Sequence, residues 1–296
     1  MCEPRFTRKK LDAALAAFCA ELGLDPRGAR LLRFTNNAVY ALAGAPVVVR
    51  IIASRTLRHR AYKVVTVARY FARFGVPAVR LYSGSPQPIE VGEHLATVWR
   101  TVPETGRTPR PSDLAALLRR VHALPVPDDV PGWSPLSDVR ARLADAEELD
   151  LRDRRFLLDR CDRVLEQLDR LEFPLRPALL HGDAHLGNVL VGPSGPVLCD
   201  FDSSCVGPPE WDLTPVVLGV LRFGEPESMH KELAEAYGFD VMAWDGFEVL
   251  RAARELKLTT SVLPSLRSNP EVRQEFYRRL KDLRSGRFAA PWDRYR

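Results

Sequence analysis

The stretch HGDAHLGNVLVGPSGPVLCDFD, His181 to Asp202, constrains this chain most. Two short apolar runs, Val189-Leu190-Val191 and Pro196-Val197-Leu198-Cys199, flank the turn residues Gly192-Pro193-Ser194-Gly195. The pattern predicts a tight hairpin. Folded about Ser194, that hairpin sets Asn188 opposite Asp200 at its open end. Neither side chain has an apolar role there. Two oxygen donors held on a rigid ladder suit a hard cation such as Mg²⁺, which takes few protein ligands and leaves room for phosphate oxygens. The apolar strands therefore read as a mount for metal ligands.

The residues just before the hairpin, His181-Gly182-Asp183-Ala184-His185-Leu186-Gly187-Asn188, have the form H-x-D-x-x-x-x-N. That spacing resembles the catalytic loop of protein kinases, where the Asp accepts the proton of the substrate hydroxyl and the Asn holds a magnesium ion. Asp200-Phe201-Asp202 stands where those enzymes carry D-F-G. Four polar positions at fixed spacing around a hairpin make a specific signal, whereas a lone H-x-D would be weak.

Length and composition allow such a fold. A chain of 296 residues suffices for one large domain or for two lobes sharing a cleft, and 46% hydrophobic residues can fill a sizeable core. No apolar run approaches the roughly 20 residues of a membrane helix, so no membrane partner is expected. MCEPRFTRKKLDAAL lacks the apolar core of a signal peptide, which makes the cytoplasm the expected compartment. The five cysteines form no CxxC pair and read as reduced, mostly buried thiols. Net charge is +5 with acidic residues interspersed, as in LADAEELDLRDRR. Ser54 to Arg80 holds seven Arg or Lys and no acid; a solvated helix face explains it better than nucleic acid, and none is expected as a partner.

Residues 8–22 have helical periodicity. From Leu31, short β-rich runs alternate with turn residues at Asn36-Asn37 and Gly44-Ala45-Pro46. An arginine-rich helix is expected at 57–74, stopped by Gly75 and Pro77, then two strands within 87–102. The polar, Pro-rich 103–113 reads as a linker. Beyond it helices are expected at about 112–123, 137–148, 152–171, 227–237, 244–258 and 269–284. The division predicted is a β-rich lobe over 1–102 and a helical lobe over 103–296. No internal repeat is visible.

These features together resemble the aminoglycoside phosphotransferase family and the related choline kinases, which phosphorylate hydroxyls of small molecules. The resemblance rests on the 181–188 loop, Asp200-Phe201-Asp202, Trp211-Asp212-Leu213, LRRVHALP at 118–125, FTNNAVYAL, PVVVRI and FGVPAVRLY. It spans roughly residues 30–220 and is loose over the C-terminal helices. It implies an α+β, protein-kinase-like fold with a small β-rich N-lobe and a larger, mostly helical C-lobe. It implies ATP, or GTP in its place, with Mg²⁺, and a small-molecule hydroxyl acceptor such as an aminoglycoside or other antibiotic. Asp183 would be the catalytic base, and Asn188 and Asp200 the metal ligands. Arg50 would contact nucleotide phosphates beneath a turn of Thr35, Asn36 and Asn37. Trp99, Arg100 and Val102 would lie in the hinge whose backbone pairs with the base. His181, His185, Asp202 and Asp212 would support the site, Asp212 by bracing the loop.

Two positions depart from the family pattern. The turn at 35–38 has no glycine. No Asp or Glu occurs between Arg50 and Ile89, so the helix that usually supplies a Glu to the phosphate-binding cation has none. A guanidinium in so apolar a strand needs an anionic partner. Arg50 then pairs elsewhere, or the lobe orders only with nucleotide.

Blander readings stand beside these. His181 suits a core histidine that supports Asp183 better than direct catalysis. His185 is structural or substrate-facing. Asp202 divides between metal contact and structural acceptor, and Trp99 and Trp211 suit core positions. Two other functions compete with phosphotransfer. His181, Asp183 and His185 form H-x-D-x-H, which could begin a metal-dependent hydrolase site, although zinc needs further ligands. A non-catalytic nucleotide-binding protein is the other, and the retained Asp183, Asn188 and Asp200 weigh against it. Oligomeric state and acceptor identity are open.

Overall fold

The structure is a computed structural model that describes residues 8–34, 37–52, 58–103, 105–267, 269–287 and 291–295. The chain divides into two compact units: one of residues 1–109, 127–130 and 187–204, the other of 110–126, 131–186 and 205–296.

The first unit is built on a five-stranded antiparallel sheet. Its strands are β1 (Arg30–Phe34), β2 (Asn37–Ala41), β3 (Val47–Ile52), β4 (Ile89–Val91) and β5 (His94–Arg100), in the order β1-β2-β3-β5-β4. The alternation of VVVRII decides which face is covered. Val47, Val49 and Ile51 are buried and pack with Ala38, Tyr40, Ala96 and Val98. Helix α1 (Arg8–Leu22) covers this core with Leu11, Ala14, Leu15 and Phe18. Helix α2 (Arg58–Arg73) is the arginine-rich helix foreseen from the sequence. Ala61, Val64, Val65, Val67, Ala68 and Phe71 are buried. Its β-branched residues are poor helix formers, so packing of the apolar stripe carries this helix.

The second unit is mainly helical. Among its described residues are α3 (Pro111–His122), α4 (Ser137–Asp145), α5 (Leu151–Leu168), α6 (Glu210–Phe223), α7 (Glu227–Tyr237), α8 (Phe247–Thr260) and α9 (Pro270–Ser285). Helix starts follow their sequence signals. Asp150 accepts from the amide of Arg152 at 2.7 Å, and Asn269 accepts from those of Glu271 and Val272, both at 3.1 Å. Pro111 and Pro270 open their helices at positions that need no N–H. The two-stranded ladder of β6 (Ala178–Leu180) with β9 (Cys205–Gly207) lies in the core of this unit.

Helix α6 was not foreseen. EWDLTPVVLGVLRF has Pro215 in its interior and is apolar on nearly every side, so it shows neither an amphipathic stripe nor an unbroken helical composition. Burial on all sides supplies what periodicity could not reveal: Trp211, Asp212, Leu213, Thr214, Val216 and Val217 are all inaccessible or nearly so.

No described helix is long and apolar enough to cross a membrane. Cys19, Cys161 and Cys205 are buried free thiols and Cys199 is half-buried; Cys2 lies outside the described residues. Burial pushes the Cys161 thiol up to about 11 and that of Cys199 up to about 12, so both stay protonated and inert.

Candidate active site

In the first unit, strands β7 (Val189–Gly192) and β8 (Gly195–Leu198) form the expected hairpin. Its register pairs Val189 with Leu198 and Gly192 with Gly195, leaving Pro193-Ser194 as a two-residue turn. The fold axis therefore lies between Pro193 and Ser194, half a residue from the expected one. Asn188 faces Cys199, whose amide donates to the Asn188 carbonyl at 3.0 Å, and Asp200 lies two residues beyond the last ladder pair. Gly192 permits the close approach of Val102, since a Cβ there would meet Val102 Cγ1 at 2.9 Å.

Asp200 leaves the ladder with φ of 65°, the one non-glycine residue among those described in the left-handed region. Such a conformation costs on the order of 1 kcal/mol or more and persists where its surroundings fix it. The chain then makes one 3₁₀ turn, Phe201–Ser203, anchored by the Phe201 ring. That ring lies edge-on to Phe71 at 5.1 Å and to Trp99 at 6.1 Å. Anchoring Phe201 fixes the two carboxylates on either side of it.

Those carboxylates supply the partner that Arg50 requires. The Arg50 guanidinium bonds Asp202 and lies 3.6 Å from Asp200, while Arg33 lies 3.7 Å from Asp200. The missing helical acid is thus replaced from the D-F-D turn. The donor set fits a hard divalent cation: a buried amide at Asn188, then the carboxylates of Asp200 and Asp202, all oxygen donors. Two guanidinium groups gathered on this pair mark a position that calls for positive charge.

The remaining nucleotide-contact candidates fall as follows. Thr35 and Asn36 lie outside the described residues, and Asn37 is the first residue of β2, paired with Ile52. Trp99 is buried in β5 with its indole N–H on Thr97 Oγ1 at 2.9 Å. The backbone N–H of Arg100 donates to Arg80 O at 2.8 Å and that of Thr101 to Pro46 O at 2.9 Å. These two amides are committed within the chain, so base pairing there would fall to other atoms of the segment. Val102 is half-buried against Gly192.

In the second unit, Asp183 sits on a loop tied down from its core. Asp212, fully buried in the first turn of α6, accepts from the amides of His181 at 2.7 Å and Gly182 at 2.8 Å. His122 Nε2 adds a third contact at 3.2 Å, and its Nδ1 lies 2.8 Å from the Tyr237 hydroxyl. The tautomer protonated on Nε2 satisfies both: Tyr237 donates to His122, and His122 donates to Asp212. Burial alone would raise the Asp212 carboxyl. The His122 hydrogen bond, the neighbouring imidazoles of His122 and His181 and the Arg254 guanidinium outweigh it and hold the carboxyl below its usual range. Burial, then Asp212 and Glu210, raise the Tyr237 phenol, which stays a donor. The Trp211 indole donates to Gly182 O at 3.1 Å. Gly182 has φ of 84°, which a residue with a side chain rarely adopts.

His181 is fully buried and its Nδ1 accepts from the Asp183 amide at 3.3 Å. The imidazole is thus used inside the loop, and H-x-D-x-H does not converge as ligands. No group of three His, Cys, Asp or Glu that could hold a metal occurs among the described residues. Asp183 itself is half exposed. Arg254 Nη1 approaches its Oδ1 at 3.5 Å, and His185 Nε2 its Oδ2 at 3.8 Å.

Sequence reasoning missed Arg254, Lys257 and Arg33. A buried arginine in an amphipathic helix carries no local signal, and LRRVH gives no hint that its histidine meets an aspartate 90 residues on.

The model of the phosphotransferase enzyme family matches residues 29–255. Solved structures share the fold. An amicoumacin kinase, solved in complex with AMP-PNP, Ca²⁺ and Ami, is 15% identical with a TM-score of 0.71, over 97% of this chain and 98% of that one. A choline kinase from Streptococcus pneumoniae is 13% identical with a TM-score of 0.69, over 93% and 99%. A spectinomycin phosphotransferase, solved with ADP and spectinomycin, is 15% identical with a TM-score of 0.63, over 94% and 95%. The α+β, protein-kinase-like fold of phosphotransferases and choline kinases is therefore the fold of this chain. No curated protein sequence matches it.

Proposed function

The chain belongs to the phosphotransferase enzyme family, and on that premise we propose that it transfers the γ-phosphoryl group of ATP, or of GTP in its place, to a hydroxyl of a small molecule. One observation carries this reading. Asp183 is the open carboxylate of a loop whose backbone is held by the buried Asp212, so a proton acceptor is fixed in place yet exposed to a substrate.

The residues divide the work. Asp183 accepts the hydroxyl proton and passes it to solvent. The acceptor oxygen forms a bond to the γ-phosphorus, the bond from that phosphorus to the β–γ bridging oxygen breaks, and nucleoside diphosphate leaves. Arg50 neutralises phosphate charge. Asn188 and Asp200, with Asp202 beside them, would hold Mg²⁺, which supplies electrostatic stabilisation of the phosphates when bound. Only four residues of chain lie between Asp183 and Asn188.

The resolved relatives act on unlike acceptors, an antibiotic in some and choline in another, so the acceptor follows from this chain's own residues rather than from the fold. The test is release of ADP or GDP on addition of hydroxyl compounds, for the wild type and for Asp183→Asn. Acceptor-dependent release that the substitution removes supports the reading. Release that Asp183→Asn leaves intact, or no release with any acceptor class, overturns it.

A further inference from the structure

Within the second unit, the surroundings of Asp183 are basic. Arg254 and Lys257 stand one turn apart on α8, and Asp138 and Arg142 one turn apart on α4. Arg254 is buried. Its Cζ lies over the Trp211 ring, 3.7 Å from the centroid, Nη2 donates to Trp211 O at 2.8 Å, and Nη1 reaches Asp183. Its Nε is buried without a hydrogen-bond partner among the described residues. Lys257 Nζ and Arg142 Nη2 both lie 3.8 Å from the same oxygen, Oδ2 of Asp138. That separation is too long for a hydrogen bond.

Arg254 thus faces Asp183, while Arg142 and Lys257 share the single oxygen Oδ2 of Asp138. The next carboxylate, Asp212, already takes three donors from His122 and the loop. A cationic acceptor finds little here. The Trp211 face that could hold an ammonium group is covered by Arg254. Lys257 is mostly buried with a distant counterion, a costly position for an ammonium group that an incoming anion would relieve.

Resting on the phosphotransfer reading above, we propose that the acceptor is a hydroxy acid: its carboxylate pairs with Lys257 and its hydroxyl reaches Asp183, whose orientation Arg254 fixes. Lys257 is then the residue that selects acceptor class.

The test uses the full chain and matched pairs of probes, gluconate against gluconamide and glycerate against glyceramide, with choline and kanamycin as cations. Binding is followed by calorimetry and transfer by nucleoside diphosphate release, for wild type, Lys257→Met and Lys257→Arg. The proposal expects the acids to bind more tightly than their amides. It expects Lys257→Met to weaken binding of the acids about tenfold or more, Lys257→Arg to restore much of it, and amide binding to be indifferent to either. Choline or kanamycin bound as well as the acids overturns it, as do acids that bind equally to wild type and Lys257→Met, or that do not bind at all. The two readings fail separately: carboxylate binding that depends on Lys257, without transfer to any probe, contradicts the phosphotransfer reading alone.

Discussion

Nη2 of Arg254 donates to the carbonyl of Trp211 at 2.8 Å, taking the place of an N–H that Pro215, four residues on in α6, does not have. A proline inside a helix leaves the carbonyl at i−4 without its donor. In a buried helix that carbonyl must be satisfied by something else. Here the same guanidinium that satisfies it also stacks on Trp211 and reaches Asp183. The helix interruption and the setting of the candidate base are one arrangement.

This makes a double-mutant cycle informative. Arg254→Met should cost about 1–3 kcal/mol of stability by stranding a buried carbonyl. In a Pro215→Ala background, where the backbone regains an N–H, the cost should shrink by about 1 kcal/mol. Urea unfolding of the four proteins measures it, and equal costs in both backgrounds would refute the linkage.

Arg50 is the counterion of Asp202 and Asp200. Arg50→Met should lower stability by about 1–2 kcal/mol, less than a fully buried pair because the carboxylates remain partly wet. It should also weaken nucleotide binding by about tenfold or more, through loss of a charge that meets phosphate. Thermal unfolding and nucleotide titration read the two effects. Unchanged nucleotide affinity would place Arg50 outside the phosphate site.

Burial pulls the Lys257 ammonium down to about 8; Asp138 draws it upward, Arg254 and Arg142 push it further down, and Asp183 again raises it. An unfolded lysine titrates near about 10.4. Between these values the unfolded chain holds a proton that the folded chain has released. The Lys257 contribution to stability therefore rises with pH over that window, by at most about 1.4 kcal/mol per pH unit, and is flat below it. Stability measured from pH 7 to 10 for wild type and Lys257→Met should show a difference that changes only above about pH 8. A constant difference would mean that the ammonium is well solvated.

Asp183→Asn should reduce kcat by about 10²-fold or more while leaving nucleotide affinity within about twofold. Single-turnover kinetics with titration of nucleotide separates the two. A parallel loss of both would make Asp183 a binding residue.

Much of this was legible in the sequence. The hairpin, the sheet of the first unit and six of the helices beyond it followed from periodicity and turn residues, whereas the grouping of residues 127–130 and 187–204 with the first unit did not. The anionic need of Arg50 followed from its place in an apolar strand. The rest depended on long-range packing. Asp202 meets Arg50 across 152 residues of chain and Arg254 meets Asp183 across 71, and no local pattern encodes either meeting. Helix α6 hid behind Pro215 and an apolar surface without a stripe. The hairpin register slipped by half a residue because a two-residue turn, rather than a single central residue, closes it.

The most direct measurement is calorimetric titration of ATP and GTP, with and without Mg²⁺, into the wild type and Asp200→Ala. The account predicts nucleotide binding that depends on Mg²⁺ in the wild type and loses that dependence in the variant. Equal, Mg²⁺-dependent binding by both proteins would contradict the assignment of the metal to Asn188 and Asp200, and no binding by the wild type would contradict the phosphotransfer reading itself.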